Sequence, residues 1–178
     1  PERILLRLDP GVVFGAGNHP TTRACLRVLQ PILSSSPGGT VLDLGSGTGL
    51  LGVAAARLGA GRVLGMDRNP LAARTTHRNI RLNNQKERML AACGRAERVA
   101  MAGADLVLAN IHFQVMQEIA CHSDIVHAGQ AILAGVFPGQ AREIASVLQG
   151  RGMRVRVEQG LEKEWPLLRA FGTASPVD

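Results

Sequence analysis

The segment Val41-Leu42-Asp43-Leu44-Gly45-Ser46-Gly47-Thr48-Gly49 constrains this chain more than any other part of it. An apolar run leads into a turn holding three glycines, and the Ala-rich stretch Leu50 to Leu58 follows at once. A buried strand, a tight turn and a helix start are expected in that order. Glycine lets the backbone turn sharply and approach a ligand, and the first turn of a helix leaves N–H groups without partners. A bare Gly-x-Gly-x-Gly carries little weight alone, and a purely structural turn has the same pattern.

Two acids sharpen it. Asp43 stands inside the strand, where a nicotinamide-binding fingerprint normally has an apolar residue, and a carboxylate there can accept hydrogen bonds from an ammonium group. Asp67 closes the next apolar run, Arg62 to Met66, about 20 residues onward, the spacing of an acid that takes ribose hydroxyls. An amino-acid end at one carboxylate and a ribose at the other describe S-adenosyl-L-methionine better than NAD, which stays open as the alternative. Ser46 and Gly47 in the turn and Arg68 after Asp67 belong to the same expected cofactor cradle.

The rest of the chain alternates in a way that suits such a cradle. Strands are expected at Thr40 to Leu44, Arg62 to Met66, Glu87 to Ala92, Asp105 to Ala109 and Ala131 to Ala134. Helices are expected at Leu50 to Leu58, Pro70 to Leu82, Val115 to Ala120 and Gln140 to Leu148. Met153 to Glu158 and Trp165 to Phe171 read as a closing pair of strands, antiparallel to each other. The pattern implies a Rossmann-like α/β fold, a mostly parallel seven-stranded sheet with helices on both faces. A single domain over residues 1–178 is expected. Its first part, 1–36, holds a strand at Arg3 to Leu8, a Gly-rich loop from Asp9 to Pro20 and a helix capped by Thr21 or Thr22. Residues 37–178 form the core, and Ser34 to Gly39 read as the linker that stops the first helix.

Two loops complete the expected site. Cys93-Gly94-Arg95-Ala96 follows the third core strand, where Arg95 and Ala96 would pass the adenine. Asn110-Ile111-His112-Phe113 follows the fourth, at the carboxyl edge where open α/β sheets bind ligands. An Asn side-chain oxygen there can hold an amine so that its lone pair faces a methyl donor, and in-line methyl transfer depends on positioning more than on a strong base. His112 reads either as an aid to deprotonation or as a pocket-wall histidine. Asn110 and His112 are the candidate catalytic residues.

Composition narrows the remaining classes. With 46% hydrophobic and 19% charged residues the chain is ordinary globular protein, and four Phe, one Trp and no Tyr leave little for base-stacking platforms. The net charge of +6 comes from arginines spread along the chain, which reads as a solvated basic surface permitting weak rRNA contact. Three cysteines without a Cys-x-x-Cys point to thiols in a reducing compartment and to no metal site. The absence of a membrane-length apolar run and of a signal peptide fits a soluble, cytoplasmic protein without membrane contact. A start at Pro1 rather than Met suggests removed upstream sequence.

Asp9-Pro10-Gly11, then Phe14-Gly15-Ala16-Gly17-Asn18-His19-Pro20-Thr21-Thr22, the glycine motif, Gly65-Met66-Asp67, Asn110-Ile111, Gly135 and Gln140 together resemble the PrmA family, the methyltransferases of bacterial ribosomal protein L11. The Phe-Gly-x-Gly-x-His-Pro-Thr-Thr segment is the most specific part, and the likeness runs from about Leu8 to Gly172, Glu162-Lys163-Glu164-Trp165 included. It implies a class I S-adenosylmethionine-dependent methyltransferase acting on lysine side chains and an α-amino group of a ribosomal protein. It also implies that Thr22, Gly45, Asp67 and Asn110 contact the cofactor and that Phe14 and Gly15 line a loop over it. Typical members carry a substrate-recognition domain ahead of this one. Nothing precedes Pro1, so a cut chain or a short homologue is expected.

Overall fold

The computed structural model describes residues 4–9 and 11–172. Among these residues five α-helices and seven strands follow one another as α1 (Pro20–Ser35), β1 (Thr40–Leu44), α2 (Leu50–Arg57), β2 (Arg62–Asp67), α3 (Pro70–Leu82), β3 (Met89–Cys93), β4 (Leu106–Asn110), α4 (Phe113–His122), β5 (Gln130–Ala134), α5 (Pro138–Gly150), β6 (Arg154–Glu158) and β7 (Leu167–Phe171). The strands form one sheet in the order β3-β2-β1-β4-β5-β7-β6. Every pairing from β3 to β5 is parallel, and β7 alone runs antiparallel to both its neighbours. The expected fold class is therefore present, as is the antiparallel closing pair.

Apolar residues at alternate positions of the central strands face opposite layers, which is why β1, β4 and β5 read as near-continuous apolar runs. Leu42, Val107 and Leu133 join the core under α4 and α5. Val41, Leu106, Leu108 and Ile132 join the core under α1 and α2. With both faces covered, the carboxyl ends of β1, β2 and β4 open onto one edge, where Asp43, Asp67 and Asn110 stand at or near the strand ends. The order changes direction between β1 and β4, the switch point at which such sheets form a crevice.

Three expectations at the N-terminal side are corrected. Residues 4–8 of the expected first strand carry no regular structure, and Arg3 lies outside the described residues. The segment runs along α3, where Asn79 and the C-cap residue Asn83 supply the hydrogen bonds a neighbouring strand would give. Asn83 accepts from Arg7 N–H at 2.9 Å and donates to its carbonyl at 2.6 Å, and Asn79 does the same for Asp9 at 2.8 and 3.0 Å. Second, the cap of α1 is His19, whose Nδ1 meets Thr21 Oγ1 at 2.7 Å, while Thr21 and Thr22 are buried in the first turn. Pro20 sets the N1 position, so the threonines point inward rather than cap. Third, Ser34 and Ser35 are helical, and the break falls at Ser36 to Gly39.

Candidate functional site

The glycine turn is held open by backbone and by acid. Gly45, Gly47 and Gly49 all have positive φ, at 69°, 56° and 80°. At Gly47 a Cβ would run into the carbonyl oxygen of Phe14, and at Gly45 into the side chain of Ile111, so no other residue fits without displacing a wall of the site. Gly45 and Ser46 N–H donate to the carbonyl of Met66 at 2.8 and 3.0 Å, and Gly47 N–H donates to Asp67 Oδ2 at 2.9 Å. The other Asp67 oxygen accepts from Asn69 N–H at 2.9 Å, which fixes the carboxylate at the rim of β2.

Asp43 reaches up from β1 to α2. Its Oδ2 accepts the N–H of Gly52, in the first turn of α2, at 2.9 Å, satisfying one donor that a helix start leaves unpaired. Burial pushes this carboxyl up to about 7 and nearby Asp67 adds to the rise, while the Gly52 N–H opposes it. Asp43 is thus both a helix cap and a wall of the cavity.

The Gly-rich segment before α1 folds over this turn. Phe14 carbonyl accepts from Thr48 N–H at 3.1 Å, and Gly15 carbonyl accepts from Thr48 Oγ1 at 2.7 Å. Together the pieces enclose a cavity of about 560 Å³, within the range of small-ligand sites. Of the expected residues, Phe14, Gly15, Thr22, Asp43, Gly45, Ser46, Gly47, Asp67, Arg68, Ala96, Asn110 and His112 all line it. Arg95 does not. Its Nε donates to Glu97 Oε1 at 2.6 Å with the side chain well exposed, and Glu97 is the one of the pair on the cavity wall. The Glu97 carboxyl is held below its usual range, first by its own backbone N–H and then by Arg95.

At the far side Asn110, the last residue of β4, donates from Nδ2 to Thr22 Oγ1 at 3.1 Å. His112 caps α4 with its side chain making no cap bond. Beside them is an aromatic wall of which only Phe14 was expected in the site. Trp165, expected in a strand, lies outside β7 on the cavity lining. It stacks on Phe137 at 4.7 Å and 29° between planes and meets His19 edge-on at 4.9 Å, while His19 meets Phe14 at 5.6 Å. Only sequence likeness signalled this, through the His-Pro-Thr-Thr and Glu-Trp stretches. No periodicity links residues 14, 19 and 165.

The sequence profile of the family described as Ribosomal protein L11 methyltransferase (PrmA) matches residues 1–170. The chain belongs to that family. A ribosomal protein L11 methyltransferase of Pelotomaculum thermopropionicum is 37% identical over 169 residues, covering 94% of this chain and 54% of the relative. One of Cupriavidus metallidurans is 37% identical over 182 residues, covering the whole chain and 57% of the relative. The chain therefore spans little more than half the length of these family members. In structure it is similar to the crystal structure of a ribosomal protein L11 methylase from Lactobacillus delbrueckii subsp. bulgaricus, with a TM-score of 0.74, 26% identity and coverage of 93% of this chain and 83% of that one. A tRNA methyltransferase from M. jannaschii shares the fold at a TM-score of 0.70 and 16% identity, covering 94% of this chain and 53% of that one. No helix among the described residues is long and apolar enough to cross a membrane.

Proposed function

We propose that the chain is the catalytic domain of a cytoplasmic S-adenosyl-L-methionine-dependent methyltransferase that methylates amine nitrogens, on lysine side chains or an α-amino group, of a ribosomal protein. The observation that carries this reading is the placement of Asn110 in the same cavity as the glycine turn and its two acids. The cofactor supplies an activated methyl carbon when bound. Asp67 would hold the ribose hydroxyls, Asp43 would receive the ammonium end, and the turn of Gly45, Ser46 and Gly47 would hold the nucleoside. Phe14 and Gly15 close over it, and Arg68 and Ala96 border the same wall.

Asn110 orients the acceptor. With Nδ2 engaged by Thr22, its side-chain carbonyl accepts an amine N–H and leaves the nitrogen lone pair directed at the methyl. His112, exposed and on the lining of the same cavity, would take up the proton that leaves the amine. Phe14, His19 and Trp165 give the cavity an aromatic wall beside this edge. The relatives' names supply the acceptor, ribosomal protein L11.

The test is incubation with radiolabelled S-adenosylmethionine and unmethylated ribosomal protein L11, read by gel and mass spectrometry. Label on L11 amines is the expected result. Cofactor binding without label on L11 or on any ribosomal protein would overturn the reading.

A further inference from the structure

The chain's charge is not as spread as it first reads. Between residues 68 and 88 stand Arg68, Arg74, Arg78, Arg81, Lys86 and Arg88 against one acid, Glu87, so this stretch alone holds +5 of the net +6. Helix α3 has no acid, and Arg74, Arg78 and Arg81 fall four and three residues apart on its exposed side, opposite buried Thr76 and Ile80. At about 1.5 Å per residue they form a ridge roughly 10 Å long. Arg78 pairs with Asp9, while Arg74 and Arg81 have no ion-pair partner among the described residues. Arg68 extends the ridge to the rim of the cavity.

We infer that this ridge docks the phosphate backbone of an RNA duplex beside the site. The three cations of the ridge on α3 are all arginine, whose planar fork matches phosphate oxygens two at a time. The ridge has no Phe, Tyr or Trp and a single small ring, the imidazole of His77, so contact is chiefly to the backbone and indifferent to sequence. The choice of RNA over DNA rests on the ribosomal reading above. The binding test needs no methyl transfer, so the two can fail separately.

The 178-residue chain is titrated by fluorescence anisotropy against a short labelled RNA duplex between about 50 and 200 mM salt. The Arg74→Ala/Arg81→Ala variant is expected to bind roughly tenfold more weakly at low salt, with the log-log salt slope shallower by about two. Arg74→Lys/Arg81→Lys, which keeps the charges, is expected to retain binding. Arg57→Ala/Arg142→Ala removes the same charge from α2 and α5 and is expected to match the parent. Equal losses in the two alanine variants, or a parent that does not bind RNA, would overturn the assignment. So would tighter binding to a DNA duplex, or a polyglutamate of equal charge bound as tightly, which would make the ridge an acidic-peptide site.

Discussion

Asn110 Nδ2 donates to the hydroxyl of Thr22 at 3.1 Å across 88 residues of sequence. The bond ties the carboxyl end of β4 to the first turn of α1 and fixes which way the amide faces. Asn110→Ala is expected to lower kcat by roughly 100-fold while cofactor affinity changes only a few-fold, because orientation of the acceptor is lost. Thr22→Val leaves the amide free to turn and is expected to lower kcat about tenfold. Single-turnover methylation beside calorimetric cofactor titration checks both, and an Asn110→Ala enzyme with parental kcat would remove this residue from the mechanism.

Gly135 stands against the same amide. Its φ is 91°, and a Cβ there would lie 2.6 Å from the Ile111 carbonyl oxygen and 3.0 Å from Asn110 Oδ1. Gly135→Ala is expected to cost about 1–2 kcal/mol of stability from the left-handed backbone and to depress kcat by displacing the Asn110 carbonyl. Thermal unfolding and turnover together test this, and a variant with parental values of both would contradict it.

Asp67 holds Gly47 N–H and Asn69 N–H and faces the cavity. Asp67→Ala removes a charged acceptor worth about 1.5–3 kcal/mol per hydrogen bond, so cofactor affinity is expected to fall by at least tenfold. Titration with S-adenosylhomocysteine reads the loss, and unchanged affinity would mean that the ribose sits elsewhere.

Asp43 gives the protein a pH signature. Its folded pKa, about 7, lies above the ordinary 3.8, so between those values the folded chain holds a proton that the unfolded chain does not. Stability from this group is full below about 4 and falls as pH rises through 7, at up to about 1.4 kcal/mol per pH unit. Cofactor binding runs the other way: an ammonium favours the ionised carboxyl, so affinity is expected to rise from pH 6 to pH 8. Cys25, with its thiol pushed up to about 12 by burial and then by Asp43, stays neutral throughout. The Asp43→Asn variant is expected to show neither trend, and a parental pH profile in that variant would exclude Asp43 as the source.

Much of the site was legible locally. The acid inside β1, the glycines and Asp67 lie within one strand-turn-helix-strand unit, and they line one cavity as their spacing predicts. Arg95 shows the limit of that reasoning. A loop position next to Ala96 put it on the wall, yet its side chain turns outward to Glu97, because a nearby carboxylate offers an arginine a partner without burying it.

The sequence by itself determined the parallel sheet and the glycine turn, because each rests on one short segment or on a pattern of burial, and its likeness along nearly the whole chain determined the family. Only the tertiary structure decided that Asn79 and Asn83 hold the N-terminal segment in place of a strand, that Trp165 joins His19 and Phe14, and that Thr22 orients Asn110. Those partners are far apart in sequence. Their meeting depends on how helices and strands pack, which no local propensity encodes.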